Sequence, residues 1–446
     1  MPRAHTGPRH AGLAIGLALL FILAAAHPAL GAVSEFALPT GSSEPAGIAP
    51  GPDGNLWAVE RAASRVVRVT PTGAATEFAL PAGREPLDIV AAGGFIWFTE
   101  RTGDRIGRLD PGAGSDAAVQ ASVVEFVVPG AGSRPTSIAS GAEAVWFTEA
   151  GSDEIGRLTF AGAMTEFAVP GAGSAPSGIV SGPDGAFWFT ETGSGEVGRI
   201  TTGGVVTNEF RVPTLEAPAA RLGSIVAGPD GALWFVDDGL DHVRRITTGG
   251  LQAQFPVPFG GGLSDIAAGP DGALWLTQGR AGKLARMTTT GAVSEYTLPT
   301  SGAGPAGITA GPDGALWFTE RLSGAVGRIS IDTPPDALPA GPPGAAGPAK
   351  LVVVAFEVLP GRPRAGRRLR VRYAITGPAN VVLLVKRGRA TAQTVATGNA
   401  RRAGIRTIAW NGRLGRKRPA RGRYVFILRA AGAGGTASSR LRVRLR

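Results

Sequence analysis

The chain has 446 residues, of which 43% are hydrophobic, with 68 glycines, 35 prolines and a formal net charge of +11. Its mean hydropathy of +0.11 belongs to chains that bury a core, and it excludes a wholly disordered polymer. It has no cysteine, which excludes disulfides, thiolate metal sites, a cysteine nucleophile and a lipid-modified cysteine anchor. The chain opens with Arg3 and Arg9, an apolar run over residues 11–26 and the small-residue step Ala29-Leu30-Gly31. This is the pattern of a secretory signal peptide over residues 1–31. The run is shorter than the roughly 20 residues needed to span a bilayer, so a secreted or envelope-associated protein is expected.

A repeat fills residues 32–332. Seven tryptophans (Trp57, Trp97, Trp146, Trp188, Trp234, Trp275 and Trp317) recur at intervals of 40 to 49 residues. The last unit shows the pattern best: Gly307-Ile308, then Gly311-Pro312-Asp313-Gly314, then Leu316-Trp317-Phe318-Thr319-Glu320, then Val326-Gly327-Arg328-Ile329. Earlier copies add a fourth piece, as in Glu166-Phe167-Ala168-Val169-Pro170. Pro-Asp-Gly is a tight turn, because Asp and Gly tolerate the dihedrals it needs. Four short strands in about 42 residues is the period of a propeller blade, so the fold class is all-β and the first domain is a seven-bladed β-propeller. The seventh unit lacks its fourth strand, and an orphan strand, residues 34–39, precedes the first. That N-terminal strand is expected to complete the last blade and remove two exposed strand edges.

In a blade of this kind the first strand descends, the Pro-Asp-Gly turn lies below, and the second strand returns to the top. The longer loops are the better place for a site. The larger insertions are residues 112–121 in the second blade and 214–221 between the fourth and fifth. The residue three after each tryptophan is Glu60, Glu100, Glu149, Glu191, Asp237, Gln278 or Glu320. Six of the seven are acidic, and at the ends of second strands they form an acidic ring at the top face. Clustered carboxylates suit a hard, oxygen-liganded cation such as magnesium or calcium, with Glu60 and Glu320 as candidate ligands. The opposing expectation comes from an arginine eleven residues after every tryptophan, from Arg68 to Arg328, which would pair with the ring acids and fix blade packing. The tryptophans read as core, one large aromatic filling each gap between sheets. Gly260-Gly261-Gly262 lacks the Lys and Ser/Thr of a phosphate loop.

Pro45-Ala46-Gly47-Ile48 with Leu56-Trp57, and Pro305-Ala306-Gly307-Ile308 with Trp317-Phe318-Thr319-Glu320, resemble the streptogramin lyase (virginiamycin B lyase-like) family. The resemblance runs over residues 33–331 and implies an enzyme that opens a cyclic depsipeptide by elimination, with a histidine base and a magnesium ion at the top face. It places the base at Ala306, a nearby Glu at Gly304, a second histidine at Ser264 and one metal ligand at Glu320. Of those four positions only Glu320 carries the family's group, and a lyase of the known kind is not expected. His242 is the sole histidine after the leader and stands elsewhere, in the fifth repeat.

Residues 333–349 are rich in Pro, Gly and Ala and read as a semi-stiff linker. Residues 350–446 hold 24 Lys and Arg against one acid, Glu357, while residues 33–332 hold 19 Lys and Arg against 32 Asp and Glu. Strand-like runs at 351–358, 369–375, 379–386, 405–410, 424–430 and 437–445 predict a small Ig-like β-sandwich. Thr407-Ile408-Ala409-Trp410-Asn411-Gly412-Arg413 with Gly422-Arg423-Tyr424 resembles the Ig-like domain of flagellar-hook-capping proteins, which implies a spacer or adhesion module. The charge points to anionic cell-wall polymer or lipid head groups as partners. Nucleic acid is not expected, and a monomer is. The functional expectation is an exported, non-catalytic propeller that binds a ligand or partner at its top face. The rival is a magnesium-dependent lyase or a hydrolase built on the top-face carboxylates, and a third reading is a scaffold that only presents loops.

Overall fold

Each blade begins from its lower turn. Gly-Pro-Asp-Gly occurs in five blades, and its last glycine takes a positive φ, +76° at Gly54 and +73° at Gly314. The first glycine is required for a different reason. A Cβ at Gly51 would lie 2.4 Å from both the Trp57 indole and the Asp53 carboxylate. The turn therefore places an aspartate directly against the tryptophan that follows it.

The computed structural model describes residues 33–212, 220–257, 261–332, 335, 353–359, 369–375, 379–387, 390, 392–400, 404–411, 413–414, 417, 419–432 and 435–445. The expected leader, residues 214–219 of the second insertion, Gly260 and all but one residue of the linker lie outside the described residues. Seven four-stranded antiparallel sheets form the seven blades. In blade 1 the strands are Pro45–Pro50, Leu56–Glu60, Arg65–Val69 and Ala75–Ala79, in that order across the sheet. The second strand is buried at every position, because sheets stack on both of its faces. That is why it reads as an unbroken apolar run rather than an alternating one.

The first strands stand innermost. Pro45–Pro50 touches Pro86–Ala92 on one side and Pro305–Ala310 on the other, which closes the ring. Each first strand carries a bulge just after its first residue, as between Pro45 and Ile48 or Pro305 and Ile308. In five blades a second-strand threonine fills that bulge. Thr319 Oγ1 accepts from Gly307 N at 2.9 Å in its own blade and donates to Ala46 O of the next at 2.6 Å. Thr99, Thr148, Thr190 and Thr277 make the same two bonds.

The last blade is completed from the other end of the ring. Val33–Ala37 pairs antiparallel with Ala325–Ile329, and Phe36 stacks on Trp317 with ring centroids 5.7 Å apart. Glu35 accepts from Thr300 N and Oγ1 at 2.9 and 2.6 Å.

The insertion at 112–121 lies elsewhere than the longer loops were expected. It joins the lower ends of Arg105–Leu109 and Val124–Val127, and its helix Asp116–Ala121 runs along the outer strand of blade 1. Gln120 donates to Ala79 O at 2.9 Å and accepts from Ala79 N at 2.7 Å, covering an exposed sheet edge.

The C-terminal region is a second all-β unit of two sheets. Val353–Leu359, Leu369–Ile375 and Gly404–Trp410 form one, while Gln393–Ala400, Ala379–Lys386, Gly422–Gly432 and Gly435–Leu445 form the other. Their inner faces share a core that includes Val371, Val381, Leu383, Trp410, Phe426 and Leu428. Gln393–Ala400 was not expected as a strand, since its only large apolar residue is Val395. Arg423, Arg429, Arg440 and Arg444 are exposed on the two adjoining long strands.

Candidate functional site

At the lower end of the blades the repeated side chains form a relay. Trp317 Nε1 donates to Asp313 Oδ1 at 3.0 Å, and Arg328 Nε donates to Asp313 Oδ2 at 2.7 Å. Trp188, Trp234 and Trp275 make the same bond to Asp184, Asp230 and Asp271, each with its arginine. Trp57 bonds Asp53 at 3.0 Å, while Arg68 reaches Asp116 of the helix instead. Blades 2 and 3 lack the turn aspartate; Trp97 donates to Ala92 O. All seven tryptophans are buried and pack into neighbouring sheets, as Trp57 does on Ile89 and Ile96. The expected pairing of ring glutamate with the arginine eleven residues after tryptophan is thus corrected. That arginine lies opposite the tryptophan in the sheet register, and in blades 4 to 7 it meets the turn aspartate at the far end of the strand from the glutamate.

At the upper end, Glu60, Glu100, Glu149, Glu191, Asp237, Gln278 and Glu320 end their second strands and are all fully buried. Each faces the first residue of its own third strand: Arg65, Arg105, Glu154, Glu196, His242, Lys283 or Ala325. The outer strand adds a third member, in the same order Glu77, Glu125, Glu166, Glu209, Gln254, Glu295 or Glu35. The seven acids and amides therefore make seven separate polar clusters inside blades, and they do not converge on one open ring. In blades 1, 2 and 6 a cation sits in the cluster, with Arg65–Glu77 at 3.2 Å, Arg105–Glu125 at 3.4 Å and Lys283–Glu295 at 2.9 Å. In blade 5 Arg244 takes that part, 2.7 Å from Asp237. Burial pushes Glu60, Glu191 and Glu320 up to about 7, and Glu100 and Glu149 up to about 8.

The mouth of the central channel is built from the residue one step into each first strand: Ala46, Leu87, Thr136, Ser177, Gly223, Ser264 and Ala306. None of these side chains is ionisable. Ser264 is exposed, Ala306 is half-buried, and Ala306 O accepts from Thr277 Oγ1. One residue deeper stand two carboxylates that the sequence reading did not single out. Asp88 accepts from Ile89 N, Ser137 Oγ and Ile138 N, and Asp265 accepts from Ile266 N and Ile308 N. Each thereby clips its own first strand to the next blade. Burial raises both, Asp265 to about 6. Their signal was an acid in a strand that otherwise holds small and apolar residues.

The whole ring matches the model of the virginiamycin B lyase family, over residues 27–116, 112–223 and 209–339. The chain belongs to that family. A streptogramin B lyase structure is 33% identical, with a TM-score of 0.61, over 67% of this chain and 97% of that one. A catalytically inactive virginiamycin B lyase from Staphylococcus aureus, solved with quinupristin, is 32% identical with a TM-score of 0.62, over 67% of this chain and 99% of that one. No curated protein matches the chain. Hydrazine synthase from Kuenenia stuttgartiensis, 18% identical with a TM-score of 0.54, shares the fold alone. The family's likeness spans the propeller, and the basic C-terminal unit is an addition to it.

Proposed function

We propose that this member of the virginiamycin B lyase family is an exported, non-catalytic protein that binds a ligand or partner at the upper face of its propeller. Its basic C-terminal unit, read as an Ig-like module, holds it to anionic polymer or lipid of the envelope. The observation that carries the proposal is the channel mouth. Elimination needs a base beside the acidic carbon and a cation on the developing enolate. Ala306 and Ser264, where the family resemblance places the two histidines, offer a methyl and a hydroxyl. Glu320, at the metal-ligand position, is fully buried, with Ser323 Oγ donating to its Oε2 at 2.7 Å and Glu35 beside it. These residues do not fit a magnesium ion paired with a base.

The test is incubation of the full chain with quinupristin and magnesium, followed by chromatographic separation and fragmentation mass spectrometry, because elimination opens the ring without changing its mass. Unchanged cyclic compound is expected. Ring-opened product that scales with protein concentration would return the chain to the lyases.

A further inference from the structure

Blades 3 and 4 break the pattern of charge compensation in the upper clusters. Where blades 1 and 2 set an arginine opposite the buried acid and blade 6 a lysine opposite the buried amide, these two set another carboxylate. In blade 3 the carboxylates of Glu149, Glu154 and Glu166 each offer an oxygen within 4.8 Å of the other two, and Glu191, Glu196 and Glu209 repeat the arrangement in blade 4. A glycine stands beside each set. Gly156 faces both Phe147 and Glu166 across the sheet, and a Cβ there would strike the Phe147 ring at 2.1 Å. Gly198 stands the same way to Phe189 and Glu209.

The innermost member of each set is fully buried and only half satisfied. Glu149 Oε2 accepts from Ser152 Oγ at 3.0 Å and Glu191 Oε2 from Ser194 Oγ at 2.7 Å. Oε1 of Glu149 and Oε1 of Glu191 are buried without a hydrogen-bond donor, as is Oε1 of Glu166. A buried carboxylate oxygen facing two further carboxylates is costly unless a positive charge or protons fill the space between them. In blades 1, 2 and 6 an arginine or lysine occupies the same corner and pairs with the outer-strand glutamate.

We propose that blades 3 and 4 each bind one calcium ion, held by Glu149, Glu154 and Glu166 and by Glu191, Glu196 and Glu209, in place of the side-chain cation of the sister blades. Three carboxylates from rigid strands suit calcium, which takes six to eight oxygens in flexible geometry; magnesium keeps most of its water and uses one or two carboxylates. Both sites lie within blades and away from the channel mouth, so they stabilise the scaffold and stand or fall independently of the quinupristin result.

The experiment is calorimetric titration of the chelator-stripped full chain with calcium at neutral pH. Two sites per chain are expected, with a rise in thermal midpoint that grows with calcium concentration. Glu154→Arg and Glu196→Arg, which install the residue of blades 1 and 2, should each remove one site, and the double variant should remove both while melting in chelator no lower than the parent. Should an arginine variant fail to fold, Glu154→Gln keeps the shape and should weaken its site about tenfold. Absence of binding up to about 10 mM calcium, beyond the roughly millimolar affinities of extracellular modules, would overturn the proposal. So would binding that the double variant leaves unchanged.

Discussion

Single residues in this propeller act through what surrounds them more than through their type. Glu100 is an acid at the very end of a strand, yet burial carries it up to about 8 against the pull of Arg84 and Arg105 and with the push of Glu125. Glu60 rises to about 7 by burial, with Glu77 adding to the rise and Arg65 opposing it. Both start from an ordinary value of 4.5 in the unfolded chain. The unfolded chain therefore gives up these protons first. The stability tied to the protonated folded form is complete below that value and is lost as pH rises through 7 and 8. In chelator, the thermal midpoint should fall between about pH 5 and pH 8.5, and Glu100→Gln should flatten the upper part of the fall. A midpoint that holds or rises across that window would contradict the assignment. The identity of these residues was legible from the tryptophan spacing, but their surroundings were not. Burial at this corner is supplied by the outer strand, some 17 residues away in blades 1 and 3, and by the neighbouring blade. In blades 4 to 7 a similar distance hid the partner of the arginine, which lies in a turn that precedes it by fifteen residues, as Asp313 precedes Arg328.

At the scale of elements the sequence was more readable, because propeller strands carry their instructions locally. Gly-Pro-Asp-Gly encodes its turn, its tryptophan contact and the start of the second strand within seven residues. The helix Asp116–Ala121 was visible only as extra length, since nothing in six residues says which edge they will cover. The closing strand was read from an absence in the last blade and a surplus before the first. Its energetic weight rests on Phe36, which repeats for blade 7 the outer-strand stack that Phe78 makes on Trp57 at 5.4 Å. Phe36→Ala should cost about 2 kcal/mol, less than a fully buried phenylalanine, because the ring is half-exposed. The loss should be local. Amide hydrogens of Ala325–Ile329 should exchange about tenfold faster, while those of blade 4 keep their protection. Uniform loss across all blades would show that the ring opens only as a whole.

For the whole molecule the chief feature is the separation of charge between an acidic ring and a basic appendage. Exposed Arg423, Arg429, Arg440 and Arg444 stand on adjoining strands of one sheet. Attachment through such a face is electrostatic and is screened beyond roughly 8 Å at physiological salt. Full-length chain should sediment with anionic vesicles at low salt and be released at about 0.5 M salt. Arg429→Glu with Arg440→Glu and Arg444→Glu should prevent sedimentation at any salt. Binding that persists at high salt would indicate an apolar or stereospecific attachment instead.

The clasp that joins Val33–Ala37 to Ala325–Ile329 also sets an order in time. Blades 1 to 6 are each continuous in sequence, so each can form its hairpins as soon as its own residues are present. The seventh cannot. Its fourth strand is the first one synthesised, and its partners are the last, with Glu35 and Thr300 separated by 265 positions. Loop closure over such a span is slow relative to local pairing. The earliest strand must therefore wait, unpaired, until nearly the whole ring exists. Ring completion is then the final event of folding, and a chain that stops short of Ala325 leaves both edges open to other chains.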